Sequence, residues 1–290
     1  MKLEKKTVDA WLNSINYSVD PSYVPSEFAL EFVSFIKLVN GDKGEENKTP
    51  VIHYKMLDNI TGKTQNTVNM CSRGLAKTTI FSEYLILYLA VYGSIPGFGD
   101  VDYGLYVSDS IENGVKKMRY RLERRCQYSE FLKTYLGSYK FTDIRWYFKN
   151  KQGKELVVTG HGAKTGVRGT VELNTRPQLA MLDDLLSDDD ARSPTIIESV
   201  ENTVYSAIDY ALHPKRRKVI WSTVQRNNQF LPWRRLRETS RNSLRRSDFC
   251  ARFSSFVSST SEPGPKRGKL CNRLRLTFSG IEIPQLPGRN

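Results

Sequence analysis

Three histidines and four cysteines are all that 290 residues offer for soft-metal or disulfide chemistry. Cys71, Cys126, Cys250 and Cys271 form no C-x-x-C pair, and His53, His161 and His213 share no metal-ligand spacing. A zinc site and a disulfide framework are therefore not expected, and a reducing cytoplasm suits the chain. Long apolar runs are missing too. The longest, Ile80 to Tyr92, falls short of the roughly 20 residues that span a bilayer and contains Glu83, so it reads as a buried helix. Met1 to Lys6 lacks the apolar stretch of a signal peptide. The expectation is a soluble protein with no membrane partner, not secreted. Acidic residues are scarce as well, 31 against 44 basic ones, for a net charge of +13. That balance favours an anionic partner, nucleic acid before membrane.

The charge is unevenly spread. Residues 230–290 hold 13 Lys/Arg against 4 Asp/Glu, so most of the excess belongs to this tail. Ahead of it, 39% apolar residues suffice for a real core. Residues 8–40 read as two helical patches joined by a turn at Pro21 to Pro25, and Asn40 to Pro50 as a polar loop. Strands are predicted at Thr67 to Cys71, Tyr103 to Val107, Gln178 to Leu182 and Lys218 to Trp221. Helices are predicted at Thr78 to Tyr92, Ile111 to Arg125 and Thr195 to Leu212. Asp143 to Phe148 and Glu155 to Thr159 form a hairpin around Lys151 to Lys154. Strands separated by helices imply an α/β fold, a parallel sheet flanked by helices. In such sheets ligands bind beyond the carboxyl ends of the strands, where the polar motifs fall. The organisation expected is an N-terminal helical segment over 1–50, a nucleotide-binding domain over 51–229 and a tail over 230–290 that is unlikely to pack.

Cys71-Ser72-Arg73-Gly74-Leu75-Ala76-Lys77-Thr78-Thr79 links a strand to a helix. It approaches the P-loop (Walker A) template G-x-x-x-x-G-K-[ST], whose small residues let backbone N–H groups curl round a phosphate. Cys71 and Ala76 stand in place of the two glycines. Lys77 would reach the β- and γ-phosphates of ATP, Thr78 would hold Mg²⁺, and the helix start adds its dipole. The bland alternative is a Lys-Thr pair at an ordinary helix start. A second motif, Leu179 to Asp184, is an apolar strand ending in two carboxylates. Asp183 would bind Mg²⁺ and Asp184 would orient or deprotonate the attacking water. Alone, the pair also fits a turn after any strand. A phosphate loop followed some hundred residues later by a strand ending in acids is more specific than either. Between them, Gly160 to Gly169 carries Lys164 and Arg168, either charges near the site or a surface loop. Asp109 and Glu112 read as caps of the following helix, with a DNA-facing role for Lys116 and Lys117 as a lesser expectation.

The runs Asn69 to Thr79, Leu105 to Gly114, Gly160 to Gly169 and Arg176 to Asp184 together resemble the large terminase subunit of tailed bacteriophages, over roughly residues 45–222. The resemblance implies an ATP-driven motor in the host cytoplasm. It would dock transiently on the procapsid and move double-stranded DNA into it, as a homo-oligomeric ring with the portal protein and the small terminase subunit as partners. It also implies roles for individual residues. Arg73 matches the arginine that such loops carry, which stabilises transition-state charge; the lesser alternative is that it braces the loop through a salt bridge. Members usually have Glu where Asp184 stands. Ser222-Thr223 matches the place of a coupling motif that senses the γ-phosphate, and an ordinary strand end reads nearly as well.

Members usually continue into a metal-dependent nuclease domain. Here Glu238, Asp248, Glu262 and Glu282 are scattered and outnumbered by bases, so nuclease activity is not expected. The basic tail is either a clamp on DNA phosphates or the product of a reading-frame change near Thr223 to Gln229; the break in the coupling motif favours the second. Two rivals stand beside the packaging motor: another P-loop nucleic-acid motor such as a helicase, and an inactive DNA- or partner-binding remnant.

Overall fold

The computed structural model describes residues 23–41, 49–61, 65–71, 74–164, 171–187, 189–224 and 252–255. Helix α1 (Glu27–Asn40) starts where Ser26 accepts a hydrogen bond from the Ala29 N–H at 3.2 Å. Its residues Phe28, Phe32, Phe35 and Val39 recur at helical spacing and are buried. Three of these rings pack round Tyr88 at centroid distances of 5.1–5.6 Å. Tyr88 belongs to α3 (Leu85–Tyr92), which continues a π-helical turn over Thr79–Tyr84 and ends at Gly93 with φ 74°. As its composition predicts, α3 is buried almost all round. Helix α2 (Val51–Asp58) packs beside α1.

The strands are β1 (Asn66–Cys71), the two-residue pair β2 (Ser94–Ile95) and β3 (Gly99–Asp100), β4 (Tyr103–Ser108), β5 (Leu136–Phe141), β6 (Arg145–Asn150), β7 (Glu155–Gly162), β8 (Leu179–Asp183), β9 (Lys218–Val224) and β10 (Arg252–Ser255). One eight-stranded sheet runs β10-β1-β9-β8-β4-β7-β6-β5. It is parallel from β10 to β7, and β6 and β5 extend it antiparallel. The α/β sheet and all four main strands agree with the sequence reading. Four strands were not foreseen: the short pair β2 and β3; β5, whose residues are mostly exposed; and β10, a regular element within the tail.

Helices cover both faces. Helices α1–α3, α4 (Lys116–Tyr128) and α5 (Glu130–Tyr135) share one apolar core with residues such as Tyr106, Trp146 and Met181. On the other face, α6 (Pro194–Thr203) and the following turns of helix to α7 (Asp209–Ala211) bury Ile197, Val200 and Ile208 against Val68, Leu105 and Trp221. Because β1, β9, β8 and β4 are parallel, their carboxyl ends share one edge of the sheet, which positions the site. No helix among the described residues is long and apolar enough to cross a membrane.

Candidate active site

At the end of β1 the chain turns through Gly74 (φ 86°) and Ala76 (φ 49°), and the helix backbone begins at Lys77. Positive φ is natural for glycine and strained for alanine, so Ala76 occupies a position whose geometry explains the template's glycine. Its carbonyl accepts the Ile80 N–H at 2.9 Å, the first full turn of the helix. Lys77 is buried. His53 of helix α2 is half-buried; burial holds its pKa below the ordinary imidazole value, and the Leu75 backbone of the loop pulls the other way.

Strand β8 is buried along its whole length and delivers Asp183, 3% exposed, at its end. Thr78 Oγ1 donates to Asp183 Oδ1 at 2.8 Å, closing the loop onto the acid strand across 105 residues of sequence. Tyr106 of β4 donates its hydroxyl to Oδ2 at 3.1 Å. Burial, with Asp184 beside it, raises the Asp183 pKa to about 7; the two hydroxyls and Lys77 pull the other way. Burial also pushes the Tyr106 phenol well above its usual value, so this hydroxyl remains a donor.

Asp184 has φ 40°, a conformation few non-glycine residues adopt. Its N–H donates to the Ser222 carbonyl at 2.9 Å, and its Oδ1 is buried without a hydrogen-bond partner among the described residues. Strained backbone and an orphaned acceptor in one acid are features that functional sites retain. Strand β9 lies between β1 and β8, and Ser222 pairs in register with Asn69 on one side and Asp183 on the other. The Ser222 hydroxyl is buried and makes no hydrogen bond among the described residues. Beside the acids opens a cleft of about 360 Å³, lined by Thr78, Tyr106, Asp183 and Asp184 and by Asn113, Lys117 and Arg121 of the helix that follows β4. Arg121 and Arg125 also flank the buried Glu83 of the helix after the loop, at 4.0 and 2.7 Å.

The structure therefore brings together Lys77, Thr78, Asp183, Asp184 and Ser222. Leu75 packs half-buried against the core, and Thr79 lies in the first turns of the helix. Ser72, Arg73 and Arg168 lie outside the described residues, and only the backbone of Cys71 and Thr223 is described. Lys164 pairs with Asp190 at 2.9 Å and does not line the cleft. Gly160 to Gly162 continue β7 instead of opening a loop. Ser110, not Asp109, caps the helix after β4, while Asp109 lines the cleft. Lys116 is held by Glu112 and Asp143 at 2.6 and 3.7 Å, leaving Lys117 to face the cleft. Tyr106, Arg121 and His53 escaped the sequence reading. Only the hydroxyl inside the apolar run of β4 signals Tyr106, and nothing local marks the other two.

Comparison with protein families finds no match, and neither does comparison with curated proteins. Among solved structures, the large terminase ATPase domain of Thermus phage P74-26 aligns at 12% identity with a TM-score of 0.44, covering 71% of this chain and 72% of that one. The HK97 bacteriophage large terminase aligns at 14% identity with the same TM-score, over 74% of this chain but only 42% of its own length. Likenesses this remote carry no weight for the activity of this chain.

Proposed function

We propose that this chain is an ATP-hydrolysing motor of the large-terminase kind, driving double-stranded DNA into a phage procapsid. The observation that carries the hydrolase reading is the Thr78–Asp183 contact. It joins a loop suited to phosphates with a buried strand-end acid, as a magnesium-dependent nucleotide site requires. The oxygen donors fit Mg²⁺, which takes few protein ligands and completes its shell with water and phosphate oxygens. Thr78 and Asp183 would hold the ion; when bound, it offsets charge on the β- and γ-phosphate oxygens. Lys77 and the loop N–H groups would bind the phosphates, with Arg73 as the further cation that the terminase resemblance implies. Asp184 would hold a water in line with the γ-phosphorus. Attack forms the new P–O bond as the bond to the β-phosphate oxygen breaks, and the water proton passes to the Asp184 carboxylate. Ser222 and Thr223 would report the state of the γ-phosphate along β9.

Packaging as the use of that hydrolysis is supported by the ordered motifs from Asn69 to Asp184 and by the net charge of +13. Portal, small subunit and ring assembly belong to the same reading. Its test is ATP hydrolysis with and without double-stranded DNA, in the intact chain and in Lys77→Ala. The expected result is DNA-stimulated activity that falls by more than about 100-fold in the variant. Hydrolysis unaffected by Lys77→Ala would refute the assignment.

A further inference from the structure

Asp183 is held from both sides, and the second partner has no counterpart in the loop or in the acid pair. Thr78 reaches Oδ1 from the start of the helix, and Tyr106 reaches Oδ2 from the neighbouring strand. Tyr106 pairs in register with Met181, so it lies on the same face of the sheet as Asp183, two residues further along β8. Two strand residues span about 6.6 Å, close to the reach of a phenol from its own Cα. Phenylalanine at this position would stop one oxygen short. The ring is fixed, being 2% exposed and tilted against Trp146 at 5.6 Å. Ser108, two residues further along the same strand and on the same face, donates its hydroxyl to Asp109 at 3.2 Å. Gly114 confines Ser108: a Cβ there would lie 2.1 Å from the Ser108 hydroxyl, so the first helical turn after β4 presses directly on it.

We infer that Tyr106 is the positioning residue of the metal-binding carboxylate. Its hydroxyl fixes Asp183 Oδ2 so that Oδ1 is presented, beside Thr78, to a divalent cation. This rests on reading Asp183 as a magnesium ligand. Ionised, as a metal ligand must be, the Asp183 carboxylate accepts hydrogen bonds only, so Tyr106 donates, and losing it leaves a buried oxygen without a donor. Partners that orient metal ligands in this way typically change metal affinity 10- to 100-fold when removed.

The test is binding of Mn²⁺ to the full chain with a non-hydrolysable ATP analogue, read from the electron paramagnetic resonance signal of the free ion. Tyr106→Phe keeps the ring and its packing against Trp146. It is expected to weaken Mn²⁺ binding by about 10-fold, while analogue binding in EDTA stays unchanged. Raised Mg²⁺ should then restore hydrolysis. Wild-type Mn²⁺ affinity in Tyr106→Phe overturns the assignment. Ser108→Ala leaves the phenol in place and removes the hydroxyl that borders it on the same face of β4; it is expected to weaken Mn²⁺ binding in the same direction by less. It carries the test if the phenylalanine variant does not fold, and wild-type affinity then overturns the role. Asp183→Asn separates the two levels. If it abolishes Mn²⁺ binding while Tyr106→Phe is silent, only the role of Tyr106 falls. If Asp183→Asn itself binds Mn²⁺ normally, Asp183 is not the ligand and the underlying reading falls with it.

Discussion

Gly74 and Ala76 stand exposed at the end of β1, whereas Asp183, two strands away, is 3% exposed and hydrogen-bonded on both carboxyl oxygens. The loop is backbone chemistry: N–H groups, tight turns and a helix start. The acid end is side-chain chemistry, in which burial, a neighbouring carboxylate and two hydroxyls set what one carboxyl group does. Loop function should therefore depend on backbone freedom, and acid function on which single atoms are present.

The largest expected effect is at the acid end. Asp184→Asn removes the group proposed to orient water and take its proton, while keeping the size of the side chain. Hydrolysis is expected to fall by roughly 10²–10⁴-fold, with affinity for a non-hydrolysable analogue unchanged in a fluorescence titration. A parallel loss of binding would mean that Asp184 holds the nucleotide and does not act on water.

Next in size is a stability effect of opposite sign. Burial raises the Asp183 pKa to about 7, above its unfolded value of 3.8. Stability from this group is therefore fully present below the unfolded pKa and lost as pH rises through about 7. In EDTA at pH 8, Asp183→Asn should be the more stable protein, by about 4 kcal/mol. The gap should close toward pH 4. Thermal melts of both chains at the two pH values, then with Mg²⁺ and analogue added, check this. Added ligand should stabilise the wild type more than the variant.

The smallest effect belongs to the loop. Ala76→Gly relieves a left-handed alanine and loosens the unfolded chain, so the net gain is expected to stay within about 1 kcal/mol. A urea midpoint unchanged or slightly raised, with nucleotide affinity retained, agrees with that. A marked loss of affinity would show that the loop needs the alanine side chain.

The sequence revealed the backbone half of this comparison better than the side-chain half. Short apolar runs place β1, β4, β8 and β9 within a few residues, because the described side chains of these parallel strands are buried, apart from Asn66. Strand β5 went unseen because an exposed edge strand has neither an apolar face nor alternation; its exposed residues run Gly137 to Lys140. Lys77, Thr78, Asp183 and Asp184 were legible since their spacing follows from strand–loop–helix chemistry. Tyr106 was not. In the sequence it is one more aromatic in an apolar run, and its task exists only once β4 lies beside β8. The same holds for Arg121, which meets the cleft and Glu83 only through packing of α4. Lys164 shows the reverse error: a cation in a glycine-rich stretch looked free for a ligand, but Asp190 was already its partner.

Strand β9 has a mechanical consequence. It separates β1 from β8 and is hydrogen-bonded to both, and its last residue, Val224, lies level with Cys71 at the mouth of the loop. Strand β9 thus ends at a point flanked by the end of β1 on one side and the acids on the other. A pull on that end acts on a shared wedge and not on either wall. Slippage by one residue, about 3.3 Å, would break the Ser222–Asp184 bond and misalign both ladders at once. Such a wedge yields in whole steps, as a pawl does.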